Sequence, residues 1–194
     1  TLVVRDELKT GGSYLRVFRI GVPASSLEGG GRKQEVPDDA STQRASQHPD
    51  FSDGLVAYYP FNGNAKDESG NGNDGEARQV QYGTDRYGRQ ESNAQFNGAS
   101  SLIEIDGLSG VVGGARARTV TAWVHSKNAP AKAKAVITLG KELGSGTKGE
   151  AFGMQLGAEP HAWFFWGSES DFNTVVEPGS GWQSHVLTFN GSEV

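Results

Sequence analysis

Residues 54–75 read GLVAYYPFNGNAKDESGNGNDG, and the rest of the chain is best understood from this segment. Leu55, Ala57 and Tyr59 alternate with Val56 and Tyr58, which predicts a strand apolar on both faces. Pro60 has no N–H for a ladder bond, so the strand must end there or lie at an edge. Asn62-Gly63-Asn64 and then Asp67-Glu68-Ser69-Gly70-Asn71-Gly72-Asn73-Asp74-Gly75 follow. Such a run favours positive φ at several positions and side chains that bond their own backbone. It predicts an ordered surface loop.

Downstream, the same rhythm of short apolar runs and turn residues continues. Candidate strands are Leu55–Tyr59, Ala94–Phe96, Leu102–Ile105, Val120–His125, Val136–Leu139, Phe152–Leu156, Ala162–Trp166, Thr174–Val176 and His185–Phe189. Nearly all are bounded by Gly, Asn, Asp or Pro, the pattern of an antiparallel sandwich. No segment sustains helical periodicity. The 28 glycines and 7 prolines among 194 residues also argue against a helical bundle.

Upstream the character changes. Leu2–Val4 and Tyr14–Ile20 look like two short strands around Lys9-Thr10-Gly11-Gly12, which predicts a β-hairpin. On this reading residues 1–22 are the remnant of a preceding domain. Residues 23–52, PASSLEGGGRKQEVPDDASTQRASQHPDFS, have almost no aliphatic periodicity and read as a flexible linker. The first 50 residues hold 7 basic and 7 acidic side chains, so the net charge of −5 falls wholly on the remainder. That shift supports a boundary near Asp53, with residues 53–194 as the main domain.

Several function classes are disfavoured directly. The acidic balance lacks the basic face expected of a nucleic-acid partner. No apolar run approaches the roughly 18 residues of a membrane span. With 0 cysteines there is no disulfide framework, thiolate metal site or cysteine nucleophile.

Four segments together resemble the laminin-G-like jelly rolls of the concanavalin A-like superfamily, in the bacterial branch related to pentraxins. The segments are GLVAYYPFNGNA with the following D-x-S-G-N-G, residues 94–105 (AQFNGASSLIEI), Val120-Thr121-Ala122-Trp123-Val124, and residues 182–192 (WQSHVLTFNGS). Their order and spacing agree with the family across residues 53–194. The resemblance implies an all-β fold of two antiparallel sheets, a jelly-roll sandwich, here preceded by the short hairpin and the flexible linker. Such domains normally continue for about 50 more residues, so the sandwich is expected to be incomplete at its C-terminal side. The resemblance also implies an extracellular or cell-envelope location, in a bacterium, and core positions for Trp123 and Trp182.

Glu104-Ile105-Asp106 is half of the strand-borne acid motif of glycosidases in that superfamily, where two carboxylates must flank the scissile bond. The further acid is missing, so no catalytic role is expected, and a solvated strand end is the plainer reading. Asp67, Ser69, Asn71 and Gly72 mimic the start of an EF-hand loop, but the bidentate acid would fall on Arg78, which excludes one. Many resembling domains hold a structural calcium ion in loop oxygens. Asp67 is then the first candidate ligand, with Asn71 and Asp74 next. The alternative is that these side chains close Asx turns on backbone N–H groups.

His48, His125, His161 and His185 are dispersed and form no zinc spacing. Asn190-Gly191-Ser192 fits a glycosylation acceptor pattern but is read as accidental. The densest aromatic cluster is His161-Ala162-Trp163-Phe164-Phe165-Trp166. One side of that strand is expected in the core. Trp163 or Trp166 on the other could stack on a sugar. The expected function is a non-catalytic extracellular recognition module that binds a glycan or an extracellular protein. The alternatives are a structural spacer without ligand and a targeting module attached to an upstream enzyme.

Overall fold

The structure is a computed structural model that describes residues 2–5, 13–21, 54–106, 108, 117–126, 134–140, 151–156, 163–167, 172–173 and 181–190. Among these the chain is all-β, with every ladder antiparallel and no α-helix. The linker expected over 23–52 and the strand expected at Thr174–Val176 lie outside the described residues.

The strands are β1 (Leu2–Arg5), β2 (Ser13–Gly21), β3 (Leu55–Tyr59), β4 (Gly75–Arg78), β5 (Gln81–Tyr82), β6 (Ala94–Gln95), β7 (Leu102–Ile105), β8 (Arg118–Ser126), β9 (Lys134–Gly140), β10 (Ala151–Leu156), β11 (Trp163–Gly167), β12 (Phe172–Asn173) and β13 (Trp182–Phe189). One sheet runs β12-β11-β10-β9-β1-β7-β4 and the other β13-β8-β2-β6-β5, with β3 also paired to β2.

The expected hairpin of the first two strands is corrected. β1 lies between β7 and β9 in one sheet, and β2 pairs with β3, β6 and β8 in the other. A free hairpin of this size is marginal in water and leaves two unpaired edges. Insertion supplies both edges of each strand with partners. The β2–β8 ladder shifts register between Leu15 and Phe18, the same stretch over which the other edge of β2 passes from β6 to β3. Tyr14 and Leu15 face β6, and Phe18 to Gly21 face β3.

Burial follows the pleat. Along β8, Arg118, Val120, Ala122, Val124 and Ser126 are buried while the residues between them are half-buried. Side chains from both sheets join one apolar cluster, among them Tyr59, Ile103, Ile105, Val124, Ile137 and Met154. As Pro60 requires, β3 stops at Tyr59. Phe61 then turns inward at φ 58° and is buried at 1% exposure. β4 carries no β-branched or aromatic residue, so no local strand signal marks it. It is held as an exposed edge strand by its register on β7.

Candidate functional site

The loop after β3 is organised by Asp67. Its Oδ1 accepts the N–H groups of Tyr58 and Ser69, each at 2.9 Å, and its Oδ2 accepts that of Asn73 at 3.0 Å. Burial alone would raise the Asp67 carboxyl. The bonds from Ser69, Tyr58 and Asn73 outweigh it and hold the group below the usual carboxylate range. Asp67 N–H donates to Asp74 Oδ1 at 2.9 Å. Asn71 Nδ2 donates to the carbonyls of Leu55 at 2.9 Å and Val56 at 3.1 Å. The Tyr59 hydroxyl donates to Asn73 O, and burial, with Asp67 and Asp74 nearby, pushes its phenol up.

The three expected calcium ligands, Asp67, Asn71 and Asp74, are thus brought into one loop, and each bonds backbone. A cation there would have to share Asp67 with three N–H donors. No group of three or more acidic or histidine side chains converges as a metal site among the described residues.

A second constellation lies on the outer face of the six-stranded sheet. Trp123 stands on β8 opposite to the core-facing Ala122 and Val124 and is half-buried. This differs from the core role expected of it, because the alternation of β8 places even-numbered residues inside. Its neighbour on the same face, His125, has its ring 5.6 Å from that of Trp182 on β13. Trp182 pairs with His125 and Ser184 with Trp123 across the ladder. The guanidinium carbon of Arg86 lies 3.9 Å from the Trp123 ring centroid and 4.3 Å from that of Tyr87. Arg86 Nη2 donates to the Tyr87 hydroxyl at 2.6 Å. Tyr87 is 65% exposed.

The Arg86-Tyr87 tip is set by Asp85-Arg86-Tyr87-Gly88-Arg89. The Asp85 side chain has no exposed surface. Its Oδ1 accepts the N–H of Tyr87 at 2.7 Å and of Arg89 at 2.9 Å, and its Oδ2 pairs with Arg89 Nε at 2.9 Å. Gly88 closes the turn at φ 79°, donating its N–H to Asp85 O at 3.1 Å. Sequence reading missed this tip. The D-x-x-G spacing signalled a turn, but nothing in the sequence placed it over Trp123.

Glu104 stands on β7 directly across from Glu76 on β4. Like charges so placed repel, and Arg78 lies between them, with Nε 3.1 Å from Glu76 Oε1 and Nη2 3.0 Å from Glu104 Oε2. Asp106 is exposed at the strand end. His185 is half-buried beside Ala122, and burial lowers its imidazole to about 4. Trp163 pairs with Leu156 and Trp166 with Gly153 in the β10–β11 ladder, but their side chains lie outside the described residues, as do His48 and His161.

No family model, curated protein or solved structure matches the chain.

Proposed function

We propose that the chain is a non-catalytic recognition module of the jelly-roll sandwich type, which binds carbohydrate through the outer face of its six-stranded sheet. The observation that carries this reading is the aromatic surface made by Trp123, His125, Trp182 and Tyr87, with Tyr87 held out at 65% exposure by the Asp85 turn. Aromatic rings with a polar rim present the mixed surface that a sugar ring, apolar on one face and hydroxylated at its edges, can cover. The common core of the two sheets and the four resembling motifs support the sandwich. The same resemblance supports a place outside the cell or in its envelope. Glu76 and Glu104 are tied by Arg78, which favours binding over hydrolysis.

The test is a glycan array probed with the full chain, repeated with Tyr87→Ala and Trp182→Ala. Binding that falls at least about tenfold in both variants supports the reading. No bound glycan, or variants that bind as the parent does, overturns it. Trp166→Ala in the same series tests whether β11 adds a second surface.

A further inference from the structure

We infer that the glycan taken by this face carries carboxylates, as a uronic-acid saccharide does. The inference rests on the carbohydrate reading above and names the ligand class of the same site.

The first ground is the charge of the face. At the positions that share the outer side with Trp123, β8 and β13 carry only threonine, serine, valine, histidine and tryptophan. On β2 and β3 the register sets Tyr14 against His125 and Arg19 between Thr121 and Tyr58. On β6 it sets Gln95 against Tyr14, and on β5 it sets Gln81 against Gln95. None of these positions is Asp or Glu, in a chain that has 23 acidic residues against 18 basic ones. Strand positions without an acid are a local property on an acidic protein, and they lower the electrostatic barrier to an anion that the rest of the surface would repel.

The second ground is Arg86. Arg78 bonds Glu76 and Glu104, and Arg89 bonds Asp85. Among the described residues no carboxylate pairs with Arg86. Its Nη2 donates to Tyr87, and its Nη1 is shut off from solvent without a hydrogen bond. The guanidinium carbon lies within 4.3 Å of two ring centroids on a half-buried residue, where its charge acts more strongly on an incoming anion than it would in open water. The rigid Asp85 turn fixes that charge beside the exposed Tyr87 ring, so a carboxylate on a saccharide unit stacked there lies within its field.

The experiment uses the full chain and three probes: oligogalacturonate, the same oligosaccharide with its carboxyls methyl-esterified, and a sulfated galactan of similar length. The acid form is expected to bind at least about tenfold more tightly than the ester, with the margin shrinking as salt rises from about 0.05 M to about 0.5 M. Arg86→Gln is expected to bring the acid-to-ester affinity ratio down towards one, whatever it does to the affinity for the ester itself. Equal binding of acid and ester by the parent chain overturns the inference and leaves the carbohydrate reading standing. Preference for the sulfated probe over the uronate overturns it too. If neither these probes nor any glycan on the array binds, both readings fall. The acid-to-ester comparison in the parent chain decides the matter even if Arg86→Gln does not fold.

Discussion

Arg86 lies with its guanidinium carbon 3.9 Å from the centre of the Trp123 ring, joining the β5–β6 connection to the outer face of β8. The contact matters because β8 is not a sheet neighbour of either strand that flanks the loop. β2 separates it from β6, and β2 and β6 separate it from β5. The loop must therefore fold back across the sheet, and Asp85 supplies the rigidity that keeps it there.

Asp85→Ala should remove two hydrogen bonds to backbone N–H and the ion pair with Arg89. Charged hydrogen bonds in a buried setting contribute about 1.5–3 kcal/mol each at most. A loss of about 3 kcal/mol of unfolding free energy is expected in urea melts. Trp123→Ala, which leaves the turn intact, should cost about 1 kcal/mol from the lost cation–π contact. Hydrogen exchange then separates the two. The Tyr87 and Arg89 amides should lose protection far more in Asp85→Ala.

Asp67→Ala should destabilise the chain by about 3 kcal/mol, because Tyr58, Ser69 and Asn73 lose their shared acceptor. Calcium is expected to leave the thermal midpoint of the parent chain unchanged. A rise in midpoint with calcium that disappears in Asp67→Ala would place a cation on this loop instead.

Gly75 and Gly70 should respond to alanine for different reasons. A Cβ on Gly75 would meet Ile103 Cγ2 at 2.8 Å and the Ala65 carbonyl oxygen at 3.0 Å. Both lie against a packed strand, so Gly75→Ala should cost about 1–3 kcal/mol by overpacking. Gly70 has open space around it but sits at φ 88°. Gly70→Ala should cost about 1 kcal/mol from backbone strain alone. Denaturant midpoints of the two variants measure this order.

Stability should fall as pH drops from about 6.5 to about 4. Burial lowers the His185 imidazole to about 4 in the folded chain, against about 6.5 when unfolded. Within that window the unfolded chain binds the extra proton, so unfolding free energy rises with pH. The contribution is complete above pH 6.5 and lost below pH 4. Partial exposure keeps it to about 2 kcal/mol or less. His185→Gln should flatten this part of the profile. The further loss at lower pH belongs to Asp67, whose depressed carboxyl must be protonated, and it should remain in that variant.

Much of the architecture was legible in the residues themselves. The alternation at Leu55–Tyr59, the stop at Pro60 and the Asx-rich loop all follow from local rules, since a strand's faces and a turn's φ requirements are properties of neighbouring residues. β8 was likewise visible as the short apolar run Val120–His125. The Asp67 network belongs partly to this class. Its loop character could be read, though its bonds to Tyr58 and Val56 needed the strand beside it.

Tertiary structure decided the rest. No local signal tells a strand which ladder it will enter, so Leu2–Arg5 and Ser13–Gly21 looked like a hairpin and became members of different sheets. Local pattern did not choose which face of β8 meets the core, since Val120, Ala122 and Val124 lie on one and Trp123 on the other, so Trp123 could be assigned only once the buried Ala122 and Val124 showed the side. The Arg86–Trp123 contact is the clearest case. The residues themselves set the chemistry of a cation and an indole, but the return of the loop across β2 and β6 made them neighbours, because long-range pairing is governed by the burial and hydrogen bonding of whole sheets rather than by the residues in contact.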